Sequence, residues 1–214
     1  MKTFLWCFCL LTGLSMHGQQ KAIKPKIEYK QSLIISPFVL LDVDQTILIG
    51  SEYRFKEQWA VVTDAGYTFS SYYISNTDHT SGFTIRPAIR KYYGKRNELY
   101  WQAQLLYKYV TYTQNDWLGK DCVQEVPTYE QYQEFKFRKK VYGLNIMTGE
   151  IMPLSQKLFF EIYAGFGVRF KRHLVVNEPN SCYRTNSVNG PISYDAKSTT
   201  LSLPISMRLF YKLR

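Results

Sequence analysis

Residues that could support nucleophilic chemistry lie together at His79, Thr80 and Ser81. A histidine can activate a serine hydroxyl for attack on an acyl ester when the two side chains are within hydrogen-bond reach, and a separation of two residues puts both on one face of a strand. The triplet lies in a polar stretch beside Asp78 and Gly82, with no identifiable acidic partner for the imidazole. Because such tripeptides are common, the sequence favours a solvated loop and leaves acyl hydrolysis as an alternative.

Metal binding has even less support. His79 and His173 are the histidines that follow residue 18, and two histidines without a fixed ligand spacing do not define a metal site. The sequence therefore predicts no catalytic set, no metal and no cofactor.

Two clusters of basic residues could bind phosphate. One lies within 136–140 and the other within 171–173. Their ammonium and guanidinium groups can make charge-assisted hydrogen bonds to phosphate oxygens. The alternative is that they are solvated, or that they balance the acidic residues between positions 116 and 134, since charge runs usually mark solvated surface. The residues expected to contact phosphate are Lys136, Arg138, Lys139, Lys140, Lys171 and Arg172.

The N-terminal residues predict export. Lys2 precedes an apolar run over residues 4–14, which is too short to span a membrane as a helix and ends in small or polar residues. We therefore expect a signal peptide at 1–18, a short polar leader at 19–31 and a single domain over 32–214.

Two cysteines, Cys122 and Cys182, follow the predicted signal peptide. In an exported chain, two thiols most simply form one disulfide. Two free, buried thiols are the alternative, because spacing alone does not decide between them.

The elements that must position these residues are strands. Apolar and polar residues alternate with period two in most of eight segments, which is the pattern of a strand with one apolar face. The last segment is 14 residues long, close to the roughly 9–11 residues with which a tilted strand crosses a bilayer. The predicted strands are 33–41, 47–55, 59–69, 83–90, 99–109, 135–149, 160–170 and 200–213.

The eight strands predict an all-β fold, a single antiparallel up-and-down β-barrel. Short connections at 56–58, 94–97 and 153–156 alternate with long ones at 70–81, 113–131 and 171–199. This asymmetry is typical of transmembrane barrels with short periplasmic turns and long extracellular loops. Pro37, Pro87 and Pro204 lie inside predicted strands and predict bulges or gaps in pairing, above all where the first and last strands meet.

The polar face of these strands decides between two kinds of barrel. A lipocalin-like carrier of an apolar ligand would point the apolar face inward, whereas a membrane barrel points it at lipid. An eight-stranded interior is just wide enough to be filled by side chains, and the polar face offers glycine, glutamine and opposite charges that could pair there. The charges expected to form this interior network are Glu52, Arg54, Asp64, Arg86, Arg90, Glu161, Arg169 and Arg208.

Two sequence runs carry a resemblance to a known group. With the signal peptide and the eight alternating segments, EIYAGFGVRF in the seventh strand and LSLPISMRLFYKL in the last one resemble the small OmpX/OmpA-like outer-membrane β-barrels of Gram-negative bacteria. More narrowly, the chain is similar to a family of such barrels without an established function. The His-x-Ser triplet also resembles the short motif of lipid A deacylase barrels, in which histidine activates serine.

The resemblance implies an outer-membrane location and a non-enzymatic function, structural or surface-binding, exerted by extracellular loops without a wide pore. Its implied partners are outer-membrane lipid, lipopolysaccharide and an unidentified extracellular ligand. The net charge of +10 is distributed singly along alternating segments, which argues against a nucleic-acid partner. A soluble lipocalin-like carrier and an acyl hydrolase acting on lipid A remain the alternatives.

Overall fold

The computed structural model describes residues 29–42, 44–72, 77–94, 96–124, 126–176, 178, 181, 185–187, 190–192 and 197–213. The predicted signal peptide and most of the predicted leader lie outside these residues. The described part of the chain has no helix long and apolar enough to cross a membrane.

The described residues form an all-β fold with one antiparallel sheet of nine strands and a separate two-stranded hairpin. The strands are β1 (Gln31–Ile35), β2 (Asp44–Lys56), β3 (Trp59–Ser71), β4 (Thr77–Tyr93), β5 (Leu99–Lys120), β6 (Tyr129–Pro153), β7 (Leu158–Val176), β8 (Thr185–Ser187), β9 (Gly190–Ile192), β10 (Lys197–Ser202) and β11 (Ile205–Lys212), with a 3-10 helix (Pro37–Leu41) after β1.

The sheet closes into a ring. Consecutive strands from β1 to β7 pair with each other, and β11 pairs with both β7 and β1. The strands β8 and β9 pair with each other outside the ring. We call the edge of the ring with the connections at 57–58, 94–98 and 154–157 the turn end, and the opposite edge the loop end. The sheet has nine strands where eight were predicted, because the predicted strand 200–213 is divided into β10 and β11, which both pair with β7.

Several strands are longer than predicted, and the long loops are correspondingly shorter. β5 and β6 pair residue by residue from Leu99 opposite Glu150 to Lys120 opposite Tyr129, so most of the loop predicted at 113–131 is wrong. Polar side chains occupy both faces of this extension. The apolar alternation therefore stops there while the hydrogen-bonded ladder continues.

The prolines interrupt pairing as the sequence predicted. Pro37 begins the 3-10 helix, so the predicted strand 33–41 ends as β-structure at Ile35. Pro204 lies in the break between β10 and β11. Near Pro87, the β4–β5 register passes from Ile85 directly to Ala88, which leaves a local gap. Proline has no amide hydrogen for the ladder, and two of these three gaps lie where the first and last strands meet.

The ring has an apolar exterior and a largely polar interior. Along β2, for example, Ile47, Ile49 and Tyr53 are exposed, whereas Glu52 and Arg54 are buried. The other exposed apolar side chains of this outer face include Leu33, Ile35, Phe55, Val61, Tyr67, Phe69, Phe83, Ile85, Ile89, Trp101, Leu105, Tyr142, Leu144, Ile146, Ile162, Phe166, Phe170, Leu201, Leu203, Ile205, Met207 and Tyr211.

Two apolar clusters close the interior at different heights. The larger one lies towards the turn end and includes Tyr29, Tyr92, Tyr100 and Phe159. The smaller one lies towards the loop end, between β5, β6 and β7, and includes Tyr112 and Phe137. The charged side chains lie within and between these two clusters, so the fold gives them a buried and bounded environment.

Candidate functional site

Arg90 is the centre of the charged network near the turn end. Its Nη1 donates to Glu52 Oε2 at 2.8 Å and its Nη2 to Glu161 Oε1 at 2.6 Å, and all three side chains are fully buried. Its Nε and Nη2 also donate to Gln102 Oε1 at 2.9 and 2.7 Å. The guanidinium lies 3.8 Å from the centroid of the Tyr100 ring. One cation thus joins four strands across the interior.

Arg208 and Arg54 extend this network. Arg208 Nη2 lies 3.2 Å from Asp64 Oδ2, and its Nε lies 3.6 Å from Glu161 Oε2. Arg208 faces Glu161 directly in the β11–β7 register. Arg54 Nε donates to Glu52 Oε1 at 3.1 Å, and its guanidinium lies between the rings of Tyr29 and Tyr92. We call Glu52, Arg54, Asp64, Arg90, Glu161 and Arg208 the paired network.

A second charged group lies nearer the loop end, around Asp44. Its Oδ2 lies 2.9 Å from Lys108 Nζ and accepts a hydrogen bond from Lys139 Nζ at 3.0 Å. Its Oδ1 accepts hydrogen bonds from Ser71 Oγ at 2.6 Å and from the Tyr112 hydroxyl at 2.9 Å. One buried carboxylate is therefore shared by two lysines.

A cavity of about 400 Å³ connects this group to the outside of the ring. Its described lining residues are Phe38, Val39, Asp42, Asp44, Arg86, Leu106, Lys108, Lys139, Val141, Tyr163, Arg169, Lys171, Leu201, Ser202, Leu203, Pro204, Ile205 and Ser206. Five of these side chains are cations and two are carboxylates, which leaves an excess of three positive charges. Among the described residues, Arg86, Arg169 and Lys171 have no carboxylate oxygen within 4.0 Å.

The eight residues predicted for the interior charge network thus fall into two sets. Six of them form the paired network. Arg86 and Arg169 face the interior as well, but they line the cavity and not the network. Arg86 lies opposite Asp64 in the β3–β4 register, yet the Asp64 carboxylate pairs with Arg208 across the interior.

The six basic residues predicted to contact phosphate are also divided, by strand alternation. Lys139 and Lys171 point inward and line the cavity. The other four, Lys136, Arg138, Lys140 and Arg172, lie on the outer face near the loop end, where Lys140 faces Arg172 in the β6–β7 register. Arg138 lies over the Tyr109 ring, 5.5 Å from its centroid. Aromatic side chains of the outer face, including Phe83, Tyr107 and Tyr142, pack against one another just below them.

The His-x-Ser triplet lies within β4 and not in a loop as predicted, because the β4–β5 ladder extends to Thr77. The Ser81 hydroxyl is 3.3 Å from the Tyr67 hydroxyl. In the described part of the chain no hydrogen bond joins it to His79, which is exposed. The other histidine considered, His173, is buried and stacked on Phe137. The described residues contain no group of His, Cys, Asp and Glu that could hold a metal ion.

The tip of the β5–β6 hairpin carries Cys122, which is disulfide-bonded. Cys182 lies outside the described residues, so the pairing of these two cysteines stays a prediction. Near this tip, Lys120 Nζ donates to Glu178 Oε2 and Gln133 Nε2 donates to Glu178 Oε1 at 2.8 Å. The hydrogen bond from Lys120 lowers the pKa of the Glu178 carboxyl below its usual value.

Three charged residues of the cavity were not predicted from the sequence: Asp42, Asp44 and Lys108. Asp44 lies between the predicted strands 33–41 and 47–55, but it begins β2 and points inward. Lys108 lies on the polar face of β5, as its position in the alternation indicates. Its pairing with Asp44 could not be predicted, because alternation does not give a partner on another strand. Most even-numbered positions of β2 and β5 point inward, and extending the predicted strand 47–55 by three residues towards the N-terminus would have found Asp44.

No protein-family model, no curated protein and no solved structure matches this chain.

Proposed function

We propose that the chain is an outer-membrane β-barrel of a Gram-negative bacterium, with a non-enzymatic, structural or surface-binding function at its loop end. The observation that carries this proposal is the apolar exterior of a ring whose interior holds buried ion pairs. A lipid-facing strand must expose apolar side chains, and a closed sheet leaves few backbone groups unpaired in hydrocarbon. The paired network and the apolar clusters fill much of the interior, which supports a protein without a wide pore.

The two alternatives have less support. A lipocalin-like carrier needs an apolar interior, but the cavity of this chain is lined by five cationic side chains and two carboxylates. An acyl hydrolase needs a base in contact with its nucleophile, but Ser81 contacts Tyr67 instead of His79.

The first experiment compares the gel mobility of boiled and unboiled protein from a washed outer-membrane fraction. We expect a heat-dependent shift, because closed membrane β-sheets usually resist detergent until heated. Recovery in the soluble fraction without a shift would refute the membrane location.

A pair of variants then tests which face meets lipid. Ile49→Lys places a charge in the middle of the apolar exterior, where a cation facing lipid costs about 2–4 kcal/mol at the bilayer midplane. Val126→Lys is the control, because Val126 is also exposed but lies in the connection between β5 and β6. We expect Ile49→Lys alone to lower the urea midpoint of the protein folded into vesicles. Equal midpoints would refute the lipid-facing assignment.

We further propose that the outward basic residues contact lipopolysaccharide phosphates, since they lie directly above the aromatic part of the exterior, where headgroups are expected. Lys136→Glu combined with Lys140→Glu should reduce co-purified lipopolysaccharide. Lys56→Glu combined with Lys157→Glu reverses two charges at the turn end and is the control. The same yield of lipopolysaccharide from both variants would refute these contacts.

A further inference from the structure

The wall of the ring is incomplete at one place. β1 pairs with β11 through four residues only, from Ser32 opposite Lys212 to Ile35 opposite Leu209. Beyond Ile35 the chain turns into the 3-10 helix, so in the described part of the chain β10 and the start of β11 pair only with β7. The cavity reaches the exterior between these two segments, with Phe38 on one side and Leu203 on the other. The opening is therefore lateral, through the wall.

The rim of this opening is strongly apolar. Leu201, Leu203 and Ile205 are 86%, 76% and 74% exposed, more than the other large apolar side chains of the outer face. Just beyond them towards the loop end, β10 continues through the exposed polar residues of 197–199. The opening thus lies where the exterior changes from apolar to polar, which is the level at which lipid headgroups meet hydrocarbon.

The inner wall of the cavity is cationic. Arg169 is close enough to Arg86 and Lys171 for the like charges to repel one another. Arg169 Nε is buried without a hydrogen-bond partner in the described protein. Asp42 and Asp44 attract these half-buried cations, but two carboxylates do not balance the five cations of the cavity. A phosphate would accept charge-assisted hydrogen bonds from two guanidinium groups and one ammonium.

We propose that this cavity binds the phosphate headgroup of an anionic amphiphile, which enters sideways through the opening between β1 and the β10–β11 break. The phosphate lies against Arg86, Arg169 and Lys171, and the acyl chains lie outside on Leu201, Leu203 and Ile205. This inference rests on the proposed membrane location. It differs from the lipopolysaccharide contacts proposed above, which involve side chains on the outer face.

The test uses calorimetric titration of the mature, folded protein in uncharged maltoside micelles. The probes are inorganic phosphate, dihexanoyl phosphatidic acid and dihexanoyl phosphatidylcholine, the last two below their own micelle concentrations. We expect phosphatidic acid to bind at least ten-fold more tightly than either of the other probes, because only it combines an anionic phosphate with chains for the apolar rim.

Three variants locate the binding. Arg86→Gln combined with Arg169→Gln should weaken phosphatidic acid binding at least ten-fold. Lys56→Gln combined with Lys157→Gln removes the same charge from exposed positions at the turn end and should change the affinity by less than two-fold. Ser202→Phe fills the buried mouth of the cavity without changing charge, and should also weaken binding at least ten-fold. A heat-dependent mobility shift verifies that each variant is folded.

The outcomes separate the possibilities. Equal affinities for inorganic phosphate and phosphatidic acid would overturn the amphiphile and leave a site for free anions. Equal losses in the interior and turn-end variants would overturn the cavity as the location. A folded, heat-modifiable protein that does not prefer phosphatidic acid would overturn this inference alone, whereas a soluble protein without the mobility shift would overturn the membrane location and the lateral route with it.

Discussion

The paired network and the cavity lie in the same interior, but their cations have different surroundings. Arg90 contacts two carboxylates, an amide oxygen and an aromatic ring. Arg169, which lies on β7 nearer the loop end than Glu161, has no carboxylate oxygen within 4.0 Å in the described part of the chain. Residue type does not explain the difference, since both are inward-facing arginines. The two differ in where the carboxylates lie and in burial, since Arg90 is fully buried and Arg169 is half-buried.

This contrast separates cations that stabilise the fold from cations that are available to bind an anion. A buried cation with its carboxylates in place is held by them, and removing it leaves those carboxylates buried without compensation. A half-buried cation without a carboxylate in contact contributes nothing comparable to stability and can be removed at little cost. It can instead stabilise an anion from outside the chain.

The largest effect is expected for Arg90→Met. It leaves the buried carboxylates of Glu52 and Glu161 without their shared cation, and breaking a buried pair by removing one partner costs about 3–5 kcal/mol. Arg86→Met is the matched control, because Arg86 has no carboxylate within 4.0 Å in the described part of the chain. Urea unfolding in vesicles should show a large loss of stability for Arg90→Met and little change for Arg86→Met. Similar losses in both variants would contradict the division.

This contrast could be predicted only in part from the sequence. Period-two alternation placed Arg86, Arg90, Arg169 and Arg208 on one face, and the structure puts all four in the interior. Alternation gives the face of a side chain but not its partner across the ring. Asp64 lies opposite Arg86 in the register yet pairs with Arg208, and such a choice depends on the closure of the sheet.

The fold was more predictable than the site, for a physical reason. Alternation is a local property, so the positions of the main strands in the ring could be read from the sequence. Near the loop end both faces become polar and the signal disappears, which is why the extension of β5 and β6 to Lys120 and Tyr129 was missed. Pro37 and Pro204 predicted gaps in the pairing of the first and last strands. The lateral cavity also requires that the 3-10 helix and the β10–β11 break diverge in space, which alternation does not indicate.

A medium effect is expected from crowding the paired network without removing a charge. In the β2–β3 register Gly50 lies opposite Asp64, and a Cβ atom added to Gly50 would collide with the Asp64 carboxylate. Gly50→Ala should push that carboxylate away from Arg208, and overpacking typically costs about 1–3 kcal/mol. Ser51→Ala, at the next position on the exposed face of β2, is the control. The urea midpoints of the two variants measure the difference, and a Gly50→Ala protein as stable as Ser51→Ala would show that the network tolerates displacement.

The smallest effect is expected for an ion pair outside the interior, between Lys120 and Glu178. Solvent screens such a pair, so it contributes at most about 1 kcal/mol. Lys120→Gln should raise the pKa of the Glu178 carboxyl towards its ordinary value, because the hydrogen bond from Lys120 is the main cause of the lowered pKa. A carboxyl whose pKa is lower in the folded state stabilises the fold above its unfolded pKa and loses that contribution as the pH falls through the folded value.

Carboxyl NMR of Glu178 between pH 6 and pH 2 measures this shift, with Lys157→Gln at the turn end as the control. An unchanged pKa in Lys120→Gln would mean that Lys120 does not hold the carboxylate, and a stability loss as large as that of Arg90→Met would mean that burial is not what distinguishes the paired network.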